Sequence, residues 1–206
     1  SRGLGDVYKR QALTWGMIDR CLDAGFDALA LTVDTIVGGN RERDLWTGFT
    51  SPPRLTPSSL LSFATHPSWT LNYLLREPFE LSNLKDHIPE GSNVSISVSD
   101  YFSTMLDQTM DWDAAAEVRE RWGKAFCLKG IMSVEDAKKA VEIGADAIMV
   151  SNHGGRQLDA APPPLAQLSA IRAAVGEDVP LIVDSGIMSG LDVVRAVSYT
   201  HLRAHE

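Results

Sequence analysis

This sequence has no surplus of positive charge. Its 27 Asp and Glu against 19 Lys and Arg leave a formal charge of -8. No basic field is available to draw in a polyanion, so nucleic acid is excluded as the main partner. Apolar runs are short, none approaching the roughly 20 residues of a bilayer-spanning helix, and no secretory h-region opens the chain. Cysteine is scarce: Cys21 and Cys127 stand alone, without the paired spacing of a metal site. A reduced, cytoplasmic chain is the expectation. What is present is 44% hydrophobic residues in a chain of 206, ample for a packed core.

Two end segments lack the patterning of the rest. Residues 1–11 and 198–206 read as adaptor-like, non-native ends, which leaves 12–197 as the domain. Within it a grammar repeats: helix, glycine, short apolar strand, polar loop. Leu13 to Asp23 carries Met17, Ile18, Cys21 and Leu22 at helical spacing, and Gly25 is placed to end the helix. The run 28–33 that follows suits a strand buried on both faces. The same order returns with a helix over 134–143, Gly144, and a strand ending in Ser-Asn-His-Gly-Gly-Arg.

An echo supports the repeat. Lys-Gly-Ile-Met-Ser at 129–133 and Asp-Ser-Gly-Ile-Met-Ser at 184–189 each follow an apolar strand. Ser133 with Asp136, and Ser189 with Asp192, have helix N-cap spacing. A further helix, faced by Leu165, Leu168 and Ile171, follows the break at Pro162-Pro163-Pro164. Four strands are predicted, at 28–33, 125–129, 147–151 and 180–184. Their alternation with helices implies parallel β/α units, forming either an incomplete barrel or a small open sheet. Residues 45–111 interrupt this rhythm as a long excursion. Its apolar middle, including Phe63, Trp69 and Tyr73, reads first as a packed satellite helix, with docking to a membrane or partner as the alternative.

In parallel β/α folds, reactive groups collect at the carboxyl ends of strands. Here those ends carry Thr32 and Asp34, then Lys129, then Ser151, His153 and Arg156, then Asp184 and Ser185. An imidazole can take a proton near neutral pH, and a guanidinium three residues on can grip a carboxylate with two hydrogen bonds. Gly154 and Gly155 let the backbone approach a flat ligand. Asp34 is placed to back His153 across the mouth. Lys129, a cation ending an apolar strand, needs an anion. A cofactor ring or carboxylate, and an internal partner such as Asp184, are equally good readings. The charged run at 41–44 reads by spacing alone as a solvated face.

Taken in order, Leu-Thr-Val-Asp-Thr at 31–35, Arg-Glu-Arg-Asp at 41–44, Leu-Lys-Gly-Ile at 128–131, Ser-Asn-His-Gly-Gly-Arg-Gln-Leu-Asp at 151–159 and Val-Asp-Ser-Gly-Ile at 183–187 resemble the FMN-dependent α-hydroxy-acid dehydrogenases and oxidases. The resemblance runs from Ala12 to Val197 and is nearest the bacterial L-lactate dehydrogenases, with the mandelate dehydrogenases close behind. Pro-Arg-Leu-Thr-Pro at 53–57 and His-Pro-Ser-Trp at 66–69 belong to it as well. It implies an α/β fold, a (β/α)8 TIM barrel of which about four of eight units are present. The implied cofactor is FMN, and the implied reaction is oxidation of an L-2-hydroxy acid, such as L-lactate, to the 2-oxo acid. Electrons would pass on to a quinone, a cytochrome or oxygen.

Carried over by position, the resemblance makes His153 the active-site base and Asp34 its support. Arg156 and Arg41 become the substrate-carboxylate residues, against the bland reading of 41–44. Thr32, Lys129, Ser151 and Gly154 become flavin contacts, and Asp184, Ser185, Gly186, Ile187 and Met188 the ribityl and phosphate loop. Met188 departs from the family's usual arginine, and Ile36 from its usual proline. The family's first three strands and its last have no counterpart, so the chain as given is expected to bind FMN weakly and be inactive alone. The full-length parent is expected to be a homo-oligomeric enzyme, with peripheral membrane contact through 58–84 and a place at the inner face of the cytoplasmic membrane as the alternative to a free cytoplasmic one. An isomerase on the same barrel, or an inactive interaction module, are the competing readings.

Overall fold

The computed structural model describes residues 4–36, 38–40, 42–48, 56–76 and 110–201. They divide into two compact units, 1–40 with 106–206, and 41–105.

The first unit is built on a parallel four-stranded sheet. Its strands are β1 (Ala28–Thr32), β2 (Ala125–Lys129), β3 (Ala147–Val150) and β4 (Leu181–Val183), in the spatial order β1-β2-β3-β4. Strictly consecutive order is what a sector of a (β/α)8 barrel shows, because each right-handed crossover sets the next strand on the same side. A doubly wound sheet would reverse order at a switch point. β4 is shorter than the predicted 180–184 because Pro180 has no N–H for the ladder, although its carbonyl accepts from Ile148.

The helices of this unit are α1 (Leu4–Asp23), α5 (Trp112–Trp122), α6 (Val134–Glu142), α7 (Pro164–Val175) and α8 (Gly190–His201), with α2 (Glu42–Thr47), α3 (Pro57–Thr65) and α4 (Pro67–Leu75) in the second unit. Local chemistry sets their ends. Asp111 caps α5 by accepting from the Ala114 amide at 2.9 Å, and Gly123 closes it in the left-handed conformation. Ser133 caps α6, accepting from the Asp136 amide at 3.0 Å while its hydroxyl donates to the Asp136 carboxylate at 2.8 Å. Ser189 and Asp192 repeat that exchange at the start of α8. Both capping pairs stand where their spacing in the sequence predicts.

α1 differs from expectation. The sequence predicts a helix over 13–23, and the structure begins it at Leu4. No proline interrupts 4–11, so a helix nucleated over the apolar stripe propagates backward at little cost. α8 likewise runs into the segment 198–206, ending at His201. α1 docks on α5 through Arg121, which meets Asp19 at 2.8 Å and lies over the Trp15 ring at 5.2 Å.

The two faces of the sheet differ in kind. Phe126, Leu128, Ile148 and Val150 point to the helices and are fully buried with Ala115, Val118, Trp122, Ala137, Ala140, Leu168 and Ile171. The opposite face carries Ala30, Cys127, Lys129, Met149 and Ile182 and is more open. Burial pushes the Cys127 thiol up, which keeps it protonated and inert despite the opposing Met149 backbone hydrogen bond and the Lys129 charge.

The second unit holds α2 (Glu42–Thr47), α3 (Pro57–Thr65) and α4 (Pro67–Leu75). Thr56 and Ser59 form a reciprocal capping box on α3. Phe63, Trp69 and Tyr73 stack in series at 5.5 and 5.2 Å. Even so, neither α3 nor α4 contains a buried residue.

Because Ile148 is fully enclosed between sheet and helices, Ile148→Ala is expected to lower unfolding free energy by about 2–5 kcal/mol in chemical denaturation. A loss under 1 kcal/mol would contradict the close packing of this layer.

Candidate functional site

The parallel register decides which side chains meet. Thr32 pairs with Lys129, Lys129 with Met149 and Met149 with Ile182, which makes one row across the sheet at its carboxyl edge. Two residues beyond the end of β1, the Asp34 carboxylate reaches His153: Oδ2 lies 2.6 Å from Nδ1. With a carboxylate that only accepts, the hydrogen of this contact sits on Nδ1, and Nε2 is the ring atom turned away from Asp34. Asp34 and His153, placed at separate strand ends by the sequence, are brought into contact here.

This contact needs two glycines that the sequence analysis did not single out. Gly130 has φ +102, and a Cβ there would stand 2.5 Å from the Asp34 carboxyl carbon and one of its oxygens. Gly39 packs so closely on the His153 turn that a Cβ would lie 2.2 Å from the Arg156 carbonyl oxygen. The signals were present, as glycine directly after a strand-ending lysine and the Gly38-Gly39 pair, but which neighbour demands them is a tertiary matter. Asp34 Oδ1 is buried without a hydrogen-bond partner among the described residues. A polar atom stranded beside a candidate base marks a place where the fold yields local stability to its site.

The turn that carries His153 is a single 3-10 turn, His153–Gly155, held from several sides. The Gly155 amide donates to the Asn152 carbonyl at 3.0 Å, and the Arg156 amide to the His153 carbonyl at 3.2 Å. The Asn152 side-chain amide donates to the Pro162 carbonyl at 3.1 Å, and its oxygen accepts from Gly155 at 3.3 Å. Asn152 is thus a second positioning residue missed in the sequence, although an Asx turn before Gly-Gly was legible. His153 itself has φ 55, a left-handed conformation uncommon among non-glycine residues. Arg156 sits exposed at the end of the turn, its guanidinium without an ion-pair partner among the described residues.

Lys129 has an anion within the chain. Its ammonium pairs with Asp184 Oδ2, donates to Ser151 Oγ at 3.1 Å and touches the Met149 sulfur at 3.5 Å. Burial alone would raise the Asp184 carboxyl. Hydrogen bonds from Lys129, Ser151 and Ser185, joined by the Lys129 charge, outweigh it and hold the group below the ordinary aspartate value. Lys129 therefore has its internal anion, and a second anion near it would share that cation.

Thr32, Asp34, Lys129, Ser151, His153, Gly154, Asp184 and Ser185 gather at one edge of the first unit. Gly186 and Ile187 continue the loop after β4. Met188 is 89% exposed, contributes only its amide, which donates to Asp192, and offers no positive charge. Arg41 lies outside the described residues, as do most of the 53–57 motif and positions 77–84 of the apolar excursion.

A flavin ring fits what is present on two counts. Thr32 and Lys129, adjacent in register, offer a hydroxyl and a cation on the more open face of the sheet. Gly154 and Gly186 have positive φ and nothing within 4 Å of a built Cβ, so backbone there is open to close approach. The phosphate end lacks a described cation.

Comparison with known proteins shows the family. The sequence profile of the family described as FMN-dependent dehydrogenase matches residues 6–199. An L-lactate dehydrogenase of Allorhizobium ampelinum is 38% identical over 193 residues, 93% of this chain and 50% of its own length. One from Vibrio cholerae is also 38% identical, over 196 residues, with the same coverage of each chain. Among solved structures, a monotopic membrane protein, (S)-mandelate dehydrogenase, superposes with a TM-score of 0.80 at 33% identity, over 90% of this chain and 48% of its own. The chain spans about half the length of the relatives it matches.

Gly130→Ala tests how the site is assembled. The added methyl cannot coexist with Asp34 in place, so a stability loss of about 1–3 kcal/mol is expected, together with displaced His153 ring resonances in NMR spectra. Unmoved ring resonances would mean that Asp34 does not depend on the missing Cβ.

Proposed function

The chain belongs to the FMN-dependent dehydrogenase family, and from that premise we propose that the protein of which it is part oxidises an L-2-hydroxy acid to the 2-oxo acid, with L-lactate the first substrate to try. Its four β/α units are a sector of that family's (β/α)8 barrel. The observation that carries the reading is the 2.6 Å contact between His153 and Asp34, with Arg156 three residues away, exposed and without an ion-pair partner among the described residues. A base, the carboxylate that stabilises its protonated form and a guanidinium for an anionic substrate are what the oxidation requires.

FMN, when bound, supplies the two-electron acceptor. The residues of this chain do the rest. Nε2 of His153 takes the proton from the hydroxy acid, and Asp34 stabilises the resulting imidazolium. Arg156, with Arg41 as its proposed second, holds the substrate carboxylate and fixes which face of the acid is presented. Lys129 holds positive charge beside the row that would meet the ring, where negative charge grows on reduction. Ser151 and Thr32 orient polar atoms on that row. Residues 184–188 would serve the ribityl and phosphate end, with backbone amides doing what Met188 cannot. Electrons would leave to a quinone, a cytochrome or oxygen.

In the full-length protein, His153→Gln is expected to lower the rate of anaerobic flavin reduction by L-lactate at least about 100-fold while flavin stays bound. Arg156→Met is expected to weaken substrate binding by about 10- to 100-fold. Reduction at the wild-type rate by the His153 variant would end this reading.

A peripheral membrane contact is the second proposal, resting on a separate observation. Leu60, Leu61, Trp69, Leu71, Leu74 and Leu75 are all more than half exposed on two short helices of the second unit. Among the described residues no helix is long and apolar enough to cross a membrane. Such a surface suits lying in the interface rather than spanning it. Co-sedimentation with phospholipid vesicles should fall when Leu61, Leu74 and Leu75 are together replaced by Glu. Undiminished sedimentation of that triple variant would remove the membrane from the account.

A further inference from the structure

Two described residues other than glycine have positive φ: His153 at 55° and Ser185 at 72°. The first carries the proposed base. The second lies 32 positions later in the sequence, in the loop after β4, yet the two are joined. Ser185 Oγ accepts a hydrogen bond from the Gly154 amide at 2.9 Å and donates its own to Asp184 Oδ1 at 2.8 Å. A hydroxyl has one proton, so donation to the carboxylate turns its lone pairs toward Gly154. Glycine at 185 would adopt this backbone without strain. Serine bears the strain and holds the turn.

The connection has a parallel strand. Asp184 Oδ2 pairs with Lys129, Lys129 donates to Ser151 Oγ at 3.1 Å, and Ser151 Oγ accepts from the His153 amide at 3.3 Å. Two hydroxyls, Ser151 and Ser185, therefore carry the Lys129–Asp184 pair to two consecutive amides, His153 and Gly154. On the other side the imidazole meets Asp34. The charged and titratable groups around the turn are Asp34 from the end of β1, Lys129 from β2, Asp184 from the end of β4, Arg156 on the turn itself and Asp159 just after it, whose carboxylate lies near Gly155.

We propose that Ser185 is a positioning residue. Its hydroxyl ties the His153 turn to the Lys129–Asp184 pair and holds the imidazole in the single orientation that keeps Nδ1 on Asp34. This rests on reading His153 as the base, and it adds a role for Ser185 beyond the cofactor-side contact that the family resemblance implies. It also explains why a strained serine stands beside Gly186, where a second glycine would be easier on the backbone.

The test uses the 206-residue chain and no ligand. Ser185→Gly removes the hydroxyl and the strain together, so its Tm should equal or exceed that of the parent chain. Despite that, the Gly154 amide should exchange with solvent about 5- to 10-fold faster by NMR. The His153 ring nitrogens should move from a single-tautomer pattern toward averaged 15N shifts. Ser185→Asn, which tolerates left-handed backbone and offers an accepting oxygen, should restore most of the protection and the single tautomer. Unchanged exchange at Gly154 and unchanged ring shifts in the glycine variant would overturn the proposal. So would a large fall in its Tm, which would make Ser185 a mere stabiliser of the loop. Neither measurement involves flavin or hydroxy acid, so failure here leaves the oxidation reading standing, and failure of flavin reduction leaves this one untouched.

Discussion

Thr32, Lys129, Met149 and Ile182 stand in one row because four parallel strands keep a fixed register, and the chemistry depends on that row. Side chains alternate faces along a strand, so a slip of one residue in β2 would send Lys129 into the apolar layer and Leu128 into the open. The register is held by burial on the helix side. Phe126, Leu128, Ile148 and Val150 lose almost all contact with water there. Hydrophobic packing on one face thus sets the position of polar groups on the other.

On that frame sit one ion pair and one carboxylate–imidazole contact, with separate roles. Asp34 with His153 pairs a carboxylate with a group that can gain and lose a proton. Lys129 with Asp184 pairs a fixed cation with a carboxylate held ionised by three donors. The first has the makings of proton transfer, and the second supplies a steady local field and an anchor. Ser151 and Ser185 connect them through backbone amides. The result is a network in which the orientation of one imidazole is specified from both sides, as preorganised sites require.

Departures from ordinary backbone and burial rules cluster here. His153 and Ser185 have positive φ, Gly130 is crowded where any side chain would collide, and Asp34 keeps one buried oxygen without a partner among the described residues. Apart from the early start of α1 and the reach of α8 to His201, the helices and strands away from this edge follow expectation in caps and periodicity. Concentration of strain and unsatisfied polarity at one edge of an otherwise consistent fold is the physical mark of a functional site.

The sequence alone determined the parallel β/α repeat, the strand positions to within a residue or so, the Ser133 and Ser189 caps, and the set of polar residues at strand ends. These follow from local periodicity and short-range hydrogen bonding, which neighbouring residues settle among themselves. Asp34 and His153 were legible as polar residues at strand ends on the same side of the sheet, which is where the structure brings them into contact. Only the tertiary structure decided that Lys129 belongs to Asp184, that Gly130 and Gly39 are required by Asp34 and by the Arg156 carbonyl, and that Ser185 reaches the Gly154 amide. Each is a contact between residues more than 20 positions apart, fixed by strand order and register, and no local spacing encodes which of several possible partners will be near. The N-terminal reach of α1 to Leu4 was missed for the opposite reason: helix propagation needs only the lack of a breaker, and an absence leaves little pattern to read.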